Sequence, residues 1–139
     1  MKTIGIIGSR RRDTNTDYEY LYKIFRQYYI SGDEIVSGGC PQGGDKFAEF
    51  IAKTYQIPIK IYYAEWTRLG YGAGFARNGL IARDSDILLA VVAPDRTGGS
   101  EDTIRKAMKM NKHIVLINKD SIEVINDVKP TNILEEFKI

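Results

Sequence analysis

Residues Thr3–Arg10 read TIGIIGSR, an isoleucine-rich apolar run that breaks into Gly-Ser-Arg. The run lacks the alternation of a strand with one wet face. It predicts a strand buried on both faces, as in a parallel sheet. The glycine that ends it predicts a tight loop at the strand's C-terminal edge. The same grammar repeats outward. Thr16–Tyr29 carries Tyr18, Leu21, Tyr22, Phe25 and Tyr28 at helical spacing. Glu34–Ser37 is a short strand, and Asp45–Tyr55 a helix with Phe47, Ala48, Ile51, Ala52 and Tyr55 on one stripe. Pro58–Ala64 (PIKIYYA) reads as a third strand and Ala73–Asp84 as a helix. Asp86–Ala93 (DILLAVVA) is the clearest strand. Glu101–Asn111 is a helix with Ile104, Ala107 and Met108 inward, and His113–Ile117 (HIVLI) is the fifth strand. Strands alternating with helices imply right-handed crossovers and one α/β domain, a parallel five-stranded sheet covered on both faces. Residues 118–139 form an extension. There Asn132 and Glu135 resemble a capping box opening a terminal helix, with Ile133, Leu134 and Phe137 able to dock.

Composition sets bounds. The 139 residues suit a single core, and 43% apolar with 27% charged residues is an ordinary globular balance. Lys and Arg (20) nearly match Asp and Glu (18), so charge alone does not point to nucleic acid. No apolar run reaches the roughly 20 residues needed to cross a bilayer, and the N-terminus lacks the pattern of a signal peptide. Cys40 is the single cysteine, which rules out an internal disulfide and fits a reducing cytoplasm. One His and one Cys cannot build a Cys/His zinc site within a chain, so no metal is expected.

The polar and glycine-rich residues cluster after strands, on the edge where open α/β sheets bind ligands. Gly8-Ser9-Arg10 offers a close backbone approach, a hydroxyl and a phosphate-matching fork. Arg11 and Arg12 read as solvated. Ser37–Asp45 (SGGCPQGGD) brings Gly38, Gly39, Gly43 and Gly44 ahead of a helix, a loop suited to wrapping an anion with its amides. Asp45 reads as that helix's N-cap, or else as a partner of a ribose hydroxyl or of the first loop. Trp66–Asn78 (WTRLGYGAGFARN) supplies Trp66, for base stacking or core-edge filling, and Arg77 with Asn78 early on a helix. Thr97–Thr103 (TGGSEDT) places Gly98 and Gly99 before a helix that Ser100 caps. There Glu101 or Asp102 serves as a dipole partner, a ribose ligand or an acid/base. The loops carry neither a Walker A nor a G-x-G-x-x-G pattern, and no cofactor is implied. His113 begins its strand at the edge opposite Cys40, which argues against a Cys–His pair.

Taken in order, GSR, GGCPxGGD, W…GxGAGxxRN and the GGS turn resemble the SLOG superfamily, nearest its small YspA/YpsA-like branch, over residues 3–117. The resemblance implies a Rossmann-like sheet of order 3-2-1-4-5 and binding of a nucleotide or nucleotide-derived ligand, as a sensor or sequestering module. It is similar, further off, to the LOG phosphoribohydrolases, which cleave the base from a nucleoside 5′-monophosphate. That likeness would make Arg77 with Glu101 or Asp102 catalytic, although TGGSEDT departs from the PGGxGTxEE turn. A distant likeness to DprA-type Rossmann domains implies single-stranded DNA binding. That reading ranks last, because the net charge is small and no aromatic ladder is evident in the sequence. A homo-oligomer is also expected, with the Tyr-rich helix Thr16–Tyr29 offering a surface.

Overall fold

The computed structural model describes residues 1–127; the expected terminal helix at Asn132–Phe137 lies outside them. Six strands, β1 (Thr3–Gly8), β2 (Glu34–Ser37), β3 (Ile59–Ile61), β4 (Ile87–Val91), β5 (His113–Ile117) and β6 (Ile122–Ile125), form one sheet of order β3-β2-β1-β4-β5-β6. The helices are α1 (Asn15–Tyr28), α2 (Gly44–Tyr55), the single turn α3 (Trp66–Leu69), α4 (Ala73–Asp84) and α5 (Ser100–Lys109); a 3₁₀ turn at Gly70–Gly72 joins α3 to α4. This is the expected three-layer, Rossmann-like α/β architecture.

Strand number needs correcting. Five strands pair in parallel, as expected, and β6 adds a sixth, antiparallel to β5 through the register Ile114↔Ile125 to Ile117↔Ile122. The turn between them closes with Asn118 N–H donating to the Ser121 carbonyl at 2.9 Å. β6 (IEVI) is apolar at three of its four positions, but it is short and three of the four residues are exposed on the sheet edge. β3 is shorter than Pro58–Ala64 because β2 offers it only three partners, Ile35 to Ser37.

The two faces of β1 show how the layers form. Ile4 and Ile6 join Leu21, Ile24 and Phe25 of α1 and Phe47, Ala48 and Ile51 of α2 in one core. Ile7 packs on the opposite side with Ile81 and Ala82 of α4 and Ile104 and Ala107 of α5. Gly5 lies on the Ile7 side, where an added Cβ would stand 2.0 Å from Ser85 Oγ. Crossovers leave β1 toward β2 on one face, and the chain returns from β3 to β4 on the other. β1 and β4 pair to their last residues, and the segments that follow them part toward opposite faces, leaving a crevice at the switch point.

α1 begins with a capping box. Thr14 Oγ1 accepts from Asp17 N–H at 3.1 Å, and Asp17 accepts from Thr14 N–H at 3.3 Å. Along the outer side of α1 and α2, Tyr18 stacks on Tyr22 (centroids 6.1 Å apart) and Tyr22 on Tyr55 (5.3 Å), with Phe50 edge-on to Tyr18. This is an aromatic ladder, contrary to expectation. It escapes the linear reading because its rungs come from two helices.

Candidate functional site

A cleft of about 380 Å³ opens at the β1/β4 switch point. Its wall comes from all four strand-following segments. Gly8, Ser9, Arg10 and Arg11 follow β1. Cys40 and Asp45 come from the β2–α2 segment, and Arg77, Asn78 and Ile81 from α4. Thr97, Gly98, Gly99, Ser100 and Thr103 come from the β4–α5 segment, and Ile7 forms apolar floor. Of the residues singled out in the sequence, Gly8, Ser9, Arg10, Asp45, Arg77, Asn78, Gly98, Gly99 and Ser100 meet here.

Gly38, Gly39, Gly43, Gly44 and Trp66 are not among the lining residues. The β2–α2 loop turns several of its amides inward. Gly43 N–H donates to Asp13 at 2.8 Å and Cys40 N–H to Asp45 at 3.2 Å. Its glycines serve close packing instead. A Cβ on Gly44 would stand 2.2 Å from the Ile7 carbonyl carbon, one on Gly43 2.3 Å from the Ser9 oxygen, and one on Gly39 2.3 Å from the Tyr63 ring. Gly38 passes between Asp45 and Arg77 in the same manner. Trp66 is 60% exposed and fills no core edge; its ring borders Gly74.

Asp45 is not an N-cap. Gly43 occupies that position, and Asp45 in the first turn of α2 reaches back to Ser37 and Cys40. Burial pushes its carboxyl pKa up, against the Cys40 and Ser37 hydrogen bonds and the charge of Arg77. Arg77 is oriented by a relay. Its Nε donates to Asn78 Oδ1 at 3.0 Å, and Asn78 Nδ2 donates to Asp102 at 3.1 Å. Lys106 donates to the same carboxylate at 2.7 Å. Asn78 and Asp102 thus hold the arginine in place.

Neither carboxylate of the TGGSEDT turn lines the cleft. Glu101 forms a two-point pair with Arg96 at 2.9 and 3.0 Å. Asp102 is buried enough to raise its pKa, but Lys106 and Asn78 outweigh that effect and hold it low. Ser100 does not cap α5 either. Gly99 is the N-cap residue and no side chain caps the helix. The amides of Gly99 and Ser100 donate to no group among the described residues. Gly98 sits at φ +115°, a conformation that favours glycine, and an added Cβ at Gly98 or Gly99 would meet open space.

The arginines after β1 divide in a way the sequence did not indicate. Arg10 is exposed at the cleft and has no ion-pair partner among the described residues. Arg11 crosses to the β4–α5 loop and pairs with Asp95. Arg12 is 2% exposed. It donates to Asp17 at 2.9 Å and to the carbonyls of Val92 and Ile117 at 3.1 and 2.6 Å, tying the ends of β4 and β5 to α1. Arg11, Cys40, Thr97 and Thr103 are lining residues that the sequence reading did not select. Thr103 alone had a usable signal: it lies one helical turn beyond Gly99 and faces the same way. Its side chain is buried and makes no hydrogen bond among the described residues.

His113 stands at the N-terminal end of β5, edge-on to Tyr28, and does not line the cleft with Cys40. Its Nε2 lies 3.7 Å from Asp127, beyond hydrogen-bond reach, and burial lowers its pKa despite that charge. Among the described residues no group of three or more His, Cys, Asp or Glu is placed to hold a metal ion, and no helix is long and apolar enough to cross a membrane. No protein-family model, curated protein or solved structure matches the chain.

Proposed function

We propose that the cleft binds a nucleotide or a nucleotide-derived ligand, with its phosphate at the start of α5. The observation that carries this reading is the convergence there of anion-seeking groups with no internal partner. The amides of Gly99 and Ser100 head a ten-residue helix, with the Thr103 hydroxyl one turn below and Arg10 opposite. A helix start with open amides favours an anion by about 0.3–1 kcal/mol even before any side chain acts. Arg77, held by Asn78, orients the rest of the ligand. The volume falls at the small end of the roughly 300–1,000 Å³ spanned by ligand clefts and suits one nucleotide. Binding is favoured over base cleavage because Glu101 and Asp102 are occupied by cations outside the cleft.

Thermal shift and calorimetry with adenosine, AMP, ADP and ADP-ribose test the reading. A phosphorylated ligand at a hundred times its Kd stabilises by about 2.7 kcal/mol, a readable shift in Tm. Adenosine is expected to give much less, and Arg77→Ala to weaken binding. A folded protein that shifts with none of the phosphorylated ligands overturns the proposal.

A further inference from the structure

Arg11 and Asp95 stand on opposite lips of the cleft, after β1 and after β4. The Arg11 guanidinium grips both carboxylate oxygens, at 2.9 and 2.8 Å, and donates to the carbonyl and hydroxyl of Thr97 at 2.9 and 2.8 Å. The same carboxylate accepts from Thr97 N–H at 3.2 Å and Thr97 Oγ1 at 2.8 Å. A guanidinium fork, a backbone amide and a hydroxyl around one oxyanion make the donor set that a phosphate takes. Here a side chain of the protein takes it. Arg11 and Thr97 line the cleft, whereas Asp95 lies just outside it, with more than half its side chain exposed. The pair is exposed enough to exchange its partners, while its two-point geometry and the Thr97 contacts set it above an ordinary surface pair. The segment carrying Asp95 also holds Gly98–Ser100, so this donor set adjoins the α5 start.

We propose that Asp95 is a built-in competitor for the ligand: its carboxylate occupies Arg11 and Thr97, and the second phosphate of a diphosphate displaces it from them. The phosphate position at α5 rests on the nucleotide reading; the donor set of Arg11 and Thr97 does not. A monophosphate seated at α5 leaves the Arg11–Asp95 pair intact. A diphosphate has to break it, so its affinity is reduced by the fraction of molecules in which Arg11 is engaged.

The test is calorimetry on the wild type, Asp95→Asn, Arg11→Ala and the double variant, with AMP, ADP and inorganic pyrophosphate as probes. Asp95→Asn is expected to tighten ADP and pyrophosphate by about tenfold while AMP moves by less than about twofold. On the Arg11→Ala background the same change is expected to give no gain. Three results overturn the proposal: no gain for ADP or pyrophosphate, an equal gain for AMP, or a gain that persists without Arg11. The equal gain would mark Asp95 as a general repulsive charge. If no nucleotide binds but pyrophosphate gains through Arg11, the nucleotide reading falls and the competitor stands. If no probe binds any variant, both fall.

Discussion

The Ser37 hydroxyl has one proton and two acceptors within reach, the Ile6 carbonyl at 2.5 Å and Asp45 Oδ1 at 3.0 Å. Both contacts are satisfied when Ser37 donates to Ile6 and a protonated Asp45 donates to Ser37, an arrangement that agrees with the raised carboxyl pKa. Asparagine has the same shape, with an amide to give Ser37 and an oxygen for Cys40 N–H. Asp45→Asn is therefore expected to fold with nearly wild-type stability. The sign of the pH effect follows from linkage. A carboxyl whose pKa is raised on folding contributes stability that is complete below its unfolded value of 3.8 and is lost as pH rises through the folded pKa. Melts recorded from pH 4 to 8 should show Asp45→Asn gaining on the wild type as pH rises. Asp45→Ala should instead lose about 1–3 kcal/mol, because it strands buried donors. Arg12 is the opposite case, a charge held by a full set of partners. Arg12→Ala takes the cation from Asp17, which keeps only Thr14, and strips the Val92 and Ile117 carbonyls of their guanidinium donor; urea unfolding should show a loss of roughly 3–5 kcal/mol.

At the level of elements, the glycines of the two loops before α2 and α5 are interchangeable as letters and opposed in use. Gly44 lets α2 touch the backbone of β1, so Gly44→Ala drives a methyl into the Ile7 and Gly8 peptide unit, which has no side chain to yield. The expected cost is about 1–3 kcal/mol or more, with α2 levered away from the sheet. Gly99 has a helical φ of −65° and open space at its Cβ position. Gly99→Ala should leave stability unchanged or raise it by about 0.4–1 kcal/mol, through a less flexible unfolded chain. Denaturant melts of the two variants side by side separate a packing glycine from a surface one. Equal losses would mean that the α5 start is as tightly packed as the α2 start.

For the molecule as a whole, acid stability turns on carboxylates that tie distant segments together. Asp33 begins the approach to β2 and accepts from Lys2 N–H and Ile30 N–H, both at 2.9 Å, as well as from the Lys2 ammonium. Burial pushes the carboxyls of Asp33 and Asp17 up, but hydrogen bonds from Lys2 and Ile30, and from Arg12 and Thr14, outweigh it and hold both pKa values below 3.8. Stability from such groups is complete above 3.8 and disappears as pH falls through the folded pKa. The protein should lose stability as pH falls below about 3.8, and Asp33→Asn should lose about 1–3 kcal/mol at neutral pH while flattening the acid limb of the melt. Most of the architecture was legible in the linear chain, because two-sided burial writes itself as unbroken apolar runs such as TIGIIG and DILLAVVA, and glycine loops mark where those runs end. β6 was not read as a strand, since IEVI is apolar but only four residues long, and its pairing with β5 on an exposed edge is a tertiary fact. The site was legible as a sheet edge but not in its parts. Gly43 and Gly44 look like anion ligands until a neighbouring strand is seen against them, and Arg10, Arg11 and Arg12 are identical until burial, an ion pair and an open mouth tell them apart. Local sequence determined the elements and their order, because periodicity is a property of neighbours along the chain. Only the tertiary structure decided which polar groups stay free for a ligand, because that depends on partners some thirty to a hundred residues away.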